Sequence, residues 1–181
     1  IACSNRVRQR SIRSAVSSLN LARLSDSSRC SGPNLVAVMN GEVALSTTIT
    51  NVGAGHYLPT GLTEVRQMWL EVVATDADGT ELLRERRDFG SVLKNAEGKY
   101  PVELWEAVAF QSDDRIPPRE STSNEYSFAM GDGPVTVEAA LYYRSCSEEM
   151  AEKAVVEIPT TTMASAVKTV YVSAQQRAEA R

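Results

Sequence analysis

NLVAVMNGEVALSTTITN (residues 34–51) is the stretch that decides the fold class. On either side of Asn40-Gly41, apolar residues alternate with polar or β-branched ones, which is the period of a half-buried strand. Asn-Gly favours a two-residue hairpin turn because both central positions need positive φ. The stretch therefore predicts strands at 34–40 and 42–51 and the start of a sheet.

Further strand signals follow toward the C-terminus. Residues 65–75 carry Met68, Trp69, Leu70, Val72 and Val73, and Asp-Ala-Asp-Gly at 76–79 turns the chain into a partner strand at 80–87. That acidic turn lacks the further oxygen ligands and closing glutamate of a calcium loop and reads as a plain turn. LWEAVAF (residues 104–110) is another strand candidate. SDDRIPPRE (residues 112–120) reads as an extended connector, because consecutive prolines remove two donors and restrict the residue before them. Strands at 121–130 and 135–144 flank the turn cluster Gly131-Asp132-Gly133-Pro134. Ser147 caps a short helix over 147–154 with acids in its first turn, and a last strand is expected within 163–173.

Seven or so strands separated by turn signals, with no βαβ alternation, imply a mainly β protein built as an antiparallel immunoglobulin-like β-sandwich. The Cys…Trp…Cys spacing of true immunoglobulin domains is absent.

Residues 5–24 read as an amphipathic basic helix. Ile12, Val16 and Leu19 fall on one stripe, leaving Arg6, Arg10 and Arg13 to water, an acidic partner or an anionic membrane surface. Residues 1–29 hold six arginines against Asp26 alone, so this end carries +5 and the rest −9 of the net −4. The basic stretch is short and the remainder acidic, which argues against nucleic acid. The expected organisation is an arm and connector at 1–34, the sandwich at 35–174 and a tail at 175–181. The longest apolar stretches are far shorter than the roughly 20 residues that cross a bilayer. A start at Ile1 is the mark expected of a processed product or a fragment of something longer, an export signal being one segment such processing removes; Ile1-Ala2-Cys3 resembles the end of a lipoprotein signal with Cys3 as the lipidated residue, although cleavage there would leave Cys3 first and remove the two residues before it.

Catalytic and metal chemistry find little support. Cys3, Cys30 and Cys146 allow one bridge and one free thiol, with the pairing open, and form neither a CxxC nor a CxxCH motif. His56 is the single histidine, so a zinc or copper site within the chain is not expected. No G-x-S-x-G elbow is present. Asp113-Asp114 and Glu148-Glu149 are adjacent in sequence and do not face a common substrate. RERRD (residues 84–88) reads as an exposed strand face. No enzyme is expected.

NVGAGHYLPTG (residues 51–61) is the most distinctive loop. Gly53 and Gly55 permit positive φ, Pro59 fixes φ, and Gly61 ends the excursion, so these residues with Thr60 shape a rigid loop. It sets His56 beside Tyr57 and Leu58, a small apolar surface with one ring nitrogen. One reading has the imidazole bonded to a backbone carbonyl or Glu64 and stabilising the loop; another has it contacting a partner.

TNVGAGHYLPTG (50–61), EVRQMWLEVVATDADG (64–79), DRIPP (114–118) and ALYYR (140–144), in this order, resemble the β-sandwich domain associated with bacterial multihaem c-type cytochromes, over about residues 35 to 172. The resemblance implies an exported, periplasmic or extracellular setting and electron-transfer partners. The haem-attachment motifs of that family are missing, so any haem belongs to a partner chain or to a lost segment of this one. The resemblance then implies either a sandwich detached from its cytochrome domain or, as the preferred reading, an extrinsic, non-catalytic accessory subunit, docking on a cytochrome or other subunits of a respiratory or photosynthetic membrane complex, with peripheral membrane contact. Carried over, His56 is the candidate axial ligand to a partner's haem, and Arg6, Arg10, Arg13, Tyr57 and Leu58 are the candidate interface. The alternative is a cell-surface adhesion or carbohydrate-binding module, with Tyr57, Trp69, Trp105 and Tyr126 as rings to stack on sugar, although Trp69 is a better fit to the core.

Overall fold

The computed structural model describes residues 29–39, 42–62, 65–129 and 133–171. The expected arm helix with Arg6, Arg10 and Arg13, together with Cys3, the Asn40-Gly41 turn, Glu64 and the 175–181 tail, lies outside them. The described chain runs β1 (Arg29–Met39), β2 (Glu42–Thr50), β3 (Gln67–Thr75), β4 (Glu81–Phe89), β5 (Ser91–Lys94), β6 (Ala109–Asp113), β7 (Ser121–Ala129), β8 (Val135–Arg144), α1 (Glu148–Ala154) and β9 (Thr161–Val170). It is mainly β, with antiparallel sheets and one short helix toward the C-terminus, as the alternation predicts.

One sheet has the order β1-β2-β7, a second β4-β3-β8-β9, and a small third β5-β6. Alternation along β2 turns Val43, Leu45 and Ile49 to the interior, and β7 adds Tyr126 and Phe128. They share one buried cluster with Met68, Leu70 and Val72 of β3 and Val135, Val137 and Leu141 of β8. Leu70 and Leu141 are register partners and both are fully buried. Each such side chain contributes about 1.5–3 kcal/mol of transfer free energy, so β2, β7, β3 and β8 hold one another in place.

Three boundaries differ from expectation. β1 begins at Arg29, inside the segment read as connector, and its pairing with β2 slips between Ser31 and Asn34. That slip spans Pro33, which has no N–H for the ladder. Residues 104–106 form a turn, closed by bonds from Glu106 N to Glu103 O (3.0 Å) and Ala107 N to Leu104 O (3.3 Å), so the expected strand starts only at Ala109. Within the supposed connector, Ser112 and Asp113 finish β6, and Ile116 is buried in a bridge to Leu58.

Other local expectations match. Asp76 Oδ1 accepts from Asp78 N (3.0 Å) and Thr80 N (2.8 Å), and Gly79 takes φ 84, so the carboxylate itself builds that turn. Ser147 Oγ accepts from Met150 N at 3.2 Å, capping α1 as its sequence predicts. Residues 84–88 are exposed. Trp69 is buried but outside the core cluster. It lies on the opposite face of β3, 4.4 Å from the Arg86 guanidinium and 5.6 Å from that of Arg144.

Candidate docking loop

The loop is built from Asn51, which follows β2 and is fully buried (0% exposed). Its main chain prolongs the pairing with β7: Asn51 N donates to Glu120 O (3.0 Å), and Arg119 N donates to Asn51 O (2.8 Å). Its side chain does more. Nδ2 donates to His56 O (2.9 Å) and Ile116 O (3.2 Å), while Oδ1 accepts from Ala54 N (3.1 Å). Both amide protons and the amide oxygen are thus used, which is how a buried Asn avoids its desolvation cost.

A second clamp lies at Leu58, five residues after Gly53. Leu58 N donates to Ile116 O (2.9 Å) and Ile116 N to Leu58 O (2.8 Å), and both side chains enter the core. The segments GHYLPTG and DRIPP, distant in sequence, are therefore one unit in space. At the far end Arg66 Nη1 donates to Thr60 O (2.8 Å), and Gly61 takes φ +78 under the same guanidinium.

Held from both ends, the loop turns His56 and Tyr57 outward. His56 Nδ1 lies 2.9 Å from Tyr57 O. A carbonyl can only accept, so Nδ1 carries the proton and, in the neutral ring, the lone pair is on Nε2. Tyr57 is 46% exposed, with the Arg115 guanidinium 5.1 Å from its ring centroid. The same guanidinium is 5.5 Å from the ring of exposed Phe110. Asp113 fixes Arg115 through two bonds, Nε to Oδ1 (2.7 Å) and Nη2 to Oδ2 (2.6 Å). Those bonds hold the Asp113 carboxyl below the usual carboxylate range and raise Arg115. The result is an exposed imidazole beside two rings bridged by one guanidinium.

The sequence-predicted residues divide accordingly. His56 and Tyr57 are at the surface, and the bond from the imidazole to a backbone carbonyl is present. Leu58, expected at an interface, is 7% exposed and belongs to the core, because its backbone bridge to Ile116 turns it inward. Positive φ falls at Gly61 but not at Gly53 or Gly55, and a Cβ on Gly55 would meet nothing within 4 Å. Pro59 is buried after a cis peptide bond, and Thr60 contributes its carbonyl. Of the rings proposed to stack on sugars, Trp69 and Tyr126 are buried, whereas Trp105 is 81% exposed on the turn between β5 and β6.

Asn51, Ile116 and Arg115 escape a motif reading. Asn51 was legible in principle: it continues the inward positions 43, 45, 47 and 49 of β2, where a polar residue must find partners. Arg115 carries no such signal.

The adjacent carboxylates each meet a cation. Asp113 meets Arg115, Asp114 meets Arg87 (3.6 Å), Glu148 meets Arg144 (3.5 Å) and Glu149 meets Lys153 (2.6 Å). Among the described residues no group of three or more His, Cys, Asp or Glu converges, and no helix is long and apolar enough to cross a membrane. The Cys146 thiol is free and donates to Ser147 O at 3.4 Å.

No protein-family model and no curated protein matches the chain. Among solved structures, a putative beta-galactosidase from Bacteroides fragilis superposes with a TM-score of 0.41 at 8% identity, covering 80% of this chain and 17% of that one. A penta-heme cytochrome c552 from Thermochromatium tepidum superposes with a TM-score of 0.66 at 21% identity, covering 77% of this chain. The matched part is 38% of that cytochrome, so the likeness is one of fold, between this chain and a portion of a larger haem protein.

Proposed function

We propose that this chain is an immunoglobulin-like β-sandwich without catalysis of its own, serving as an extrinsic accessory subunit that docks on a haem-bearing partner in an exported or membrane-bound electron-transfer complex. The observation that carries this reading is the braced loop, in which Asn51 and Ile116 fix the backbone and leave His56 Nε2 outward beside Tyr57, Arg115 and Phe110. The likeness of fold to part of a penta-heme cytochrome adds support for such a setting.

The residues fit one side of a haem held elsewhere. The cysteines stand at 3, 30 and 146, so no CxxCH anchors a haem in this chain, and a single imidazole offers one axial position. Redox chemistry in the complex is supplied by the partner's haem. His56 has the arrangement of a ligand already oriented by its other nitrogen, with Nδ1–H committed to a carbonyl. Tyr57 and Phe110 supply apolar area for docking, and Arg115 a charge held in place by Asp113.

The test is to recover the affinity-tagged full chain from its native membranes under mild conditions and record the visible spectrum of the eluate. A stoichiometric c-type haem polypeptide is expected, and it should be lost with the double variant His56→Ala, Tyr57→Ala. Equal recovery of the haem protein with that variant overturns the docking role of the loop. A Soret band unchanged by His56→Ala in a complex that still assembles removes axial ligation and leaves docking.

A further inference from the structure

Four strands form the outer edges of the two larger sheets, and three are guarded against pairing with another chain. β1 contains Pro33 and two slips of register, β4 carries five consecutive charges from Arg84 to Asp88, and β9 has Lys168 and a slip against β8. β7 has none of these. Its nine residues pair with β2 without a single slip, contain no proline, lysine or arginine, and have no strand on their other side among the described residues.

The direction of its free groups follows from one bond. Asn51 N donates to Glu120 O, which makes the adjoining pair Thr50–Ser121 a non-hydrogen-bonded one and Thr47–Asn124 a hydrogen-bonded one. Even-numbered residues of β7 thus spend their N–H and C=O on β2, while Ser121, Ser123, Glu125, Ser127 and Ala129 turn theirs outward. Asn124 itself points into the interior and is 7% exposed, yet neither Nδ2 nor Oδ1 has a partner among the described residues. A buried amide left so costs stability, and a native structure provides for it.

We infer that the free edge of β7 seats a second copy of this chain, the two β7 strands pairing antiparallel about a two-fold axis at Asn124. In this register Asn124 faces Asn124 of the second copy as a non-hydrogen-bonded pair, the closer of the two spacings, and each amide donates Nδ2–H to the other's Oδ1. Both orphan atoms are satisfied by one symmetric contact. Ser123 faces Glu125 of the second copy, and Ser121 faces Ser127, so no like charges stand opposite each other. The outward N–H and C=O groups form about eight new backbone bonds. The hydroxyl ladder already joining Thr48 to Ser123 and Thr50 to Ser121 (2.8 Å each) is extended by a further strand bearing serines on the same face. Glu120, where the docking loop is attached, falls opposite Phe128 of the second copy. The two loops are then about 27 Å apart along the strands, at 3.4 Å per residue, and each dimer presents two of them independently of whether a haem lies beside His56.

Light scattering on the full chain after size exclusion tests this across a wide concentration series, with a mass twice that of the chain expected. Ser123→Pro removes an outward donor and no backbone bond to β2, only the hydroxyl contact to Thr48, so it should give the single-chain mass with an unchanged far-UV spectrum. Asn124→Cys, oxidised in air and digested without reduction, should yield a peptide linked between the two substituted positions. Ser127→Cys should yield none, since Ser127 faces Ser121. A single-chain mass throughout the series overturns the inference. So does equal self-linkage at 124 and 127, or a dimer that survives Ser123→Pro without linkage at 124. Should Ser123→Pro fail to fold, the two cysteine variants decide between these outcomes.

Discussion

Asn51 and His56 sit in one loop and divide its work. Asn51→Ala removes the partner of the Ala54 N–H and of the His56 carbonyl and one of the two donors to Ile116 O, a loss of about 2–3 kcal/mol, read as a lower urea midpoint with the same slope. His56→Ala removes an exposed ring with one local bond and should change stability by no more than about 0.5 kcal/mol, while weakening the proposed association with a haem-bearing partner. If the two variants lose stability equally, Asn51 is not the brace. The glycines divide similarly. Gly61→Ala must hold φ +78 with its Cβ 2.9 Å from the Arg66 guanidinium, which costs about 1–2 kcal/mol. Gly55→Ala has neither burden and should be silent in the same titration.

Among the elements, β6 and the loop are joined through Asp113 and Arg115. The Asp113 carboxyl titrates below its ordinary value because Arg115 bonds to its charged form. The sign follows: the unfolded state binds protons more readily, so this contribution is complete above about pH 5 and fades as pH falls through about 3.9 toward the lower folded value. Asp113→Asn should therefore be less stable than the native chain at neutral pH, with the gap closing under acid in pH-stepped urea titrations. A gap independent of pH would falsify the assignment to this pair. The elements also show where sequence is a good guide. β8 and α1 match their expected bounds because Gly133-Pro134 and alternation from Val135 to Ala139 mark the one and the Ser147 cap marks the other. Residues 104–108 looked like strand on composition alone, yet Leu104, Trp105 and Val108 are exposed and the first two belong to a turn. Apolar content without alternation does not say which way a side chain faces, and only the i to i+3 backbone bonds settle it.

Across the whole molecule, the period-2 pattern made the sheets legible, whereas the pairing of GHYLPTG with DRIPP was not, since two backbone bonds between residues 58 and 116 leave no trace in local composition. The same limit hid the contrast between guarded and unguarded edges, which depends on strand order. What can be tested at this scale is whether both larger sheets stand or fall together. Their shared cluster is centred on pairs such as Leu70 and Leu141, so Leu70→Ala leaves a cavity that residues of both sheets line, at about 3–4 kcal/mol. Trp69 fluorescence reports on the β4-β3-β8-β9 sheet alone, because Trp105 is already in water in the native state, while far-UV circular dichroism reports on all strands. If the core is common, both signals shift to lower denaturant by the same amount and keep a single midpoint in Leu70→Ala. Two separated transitions would mean that β1-β2-β7 retains its structure without the other sheet, and the loop at Asn51, anchored on β2 and β7, would then survive as an independently folded unit.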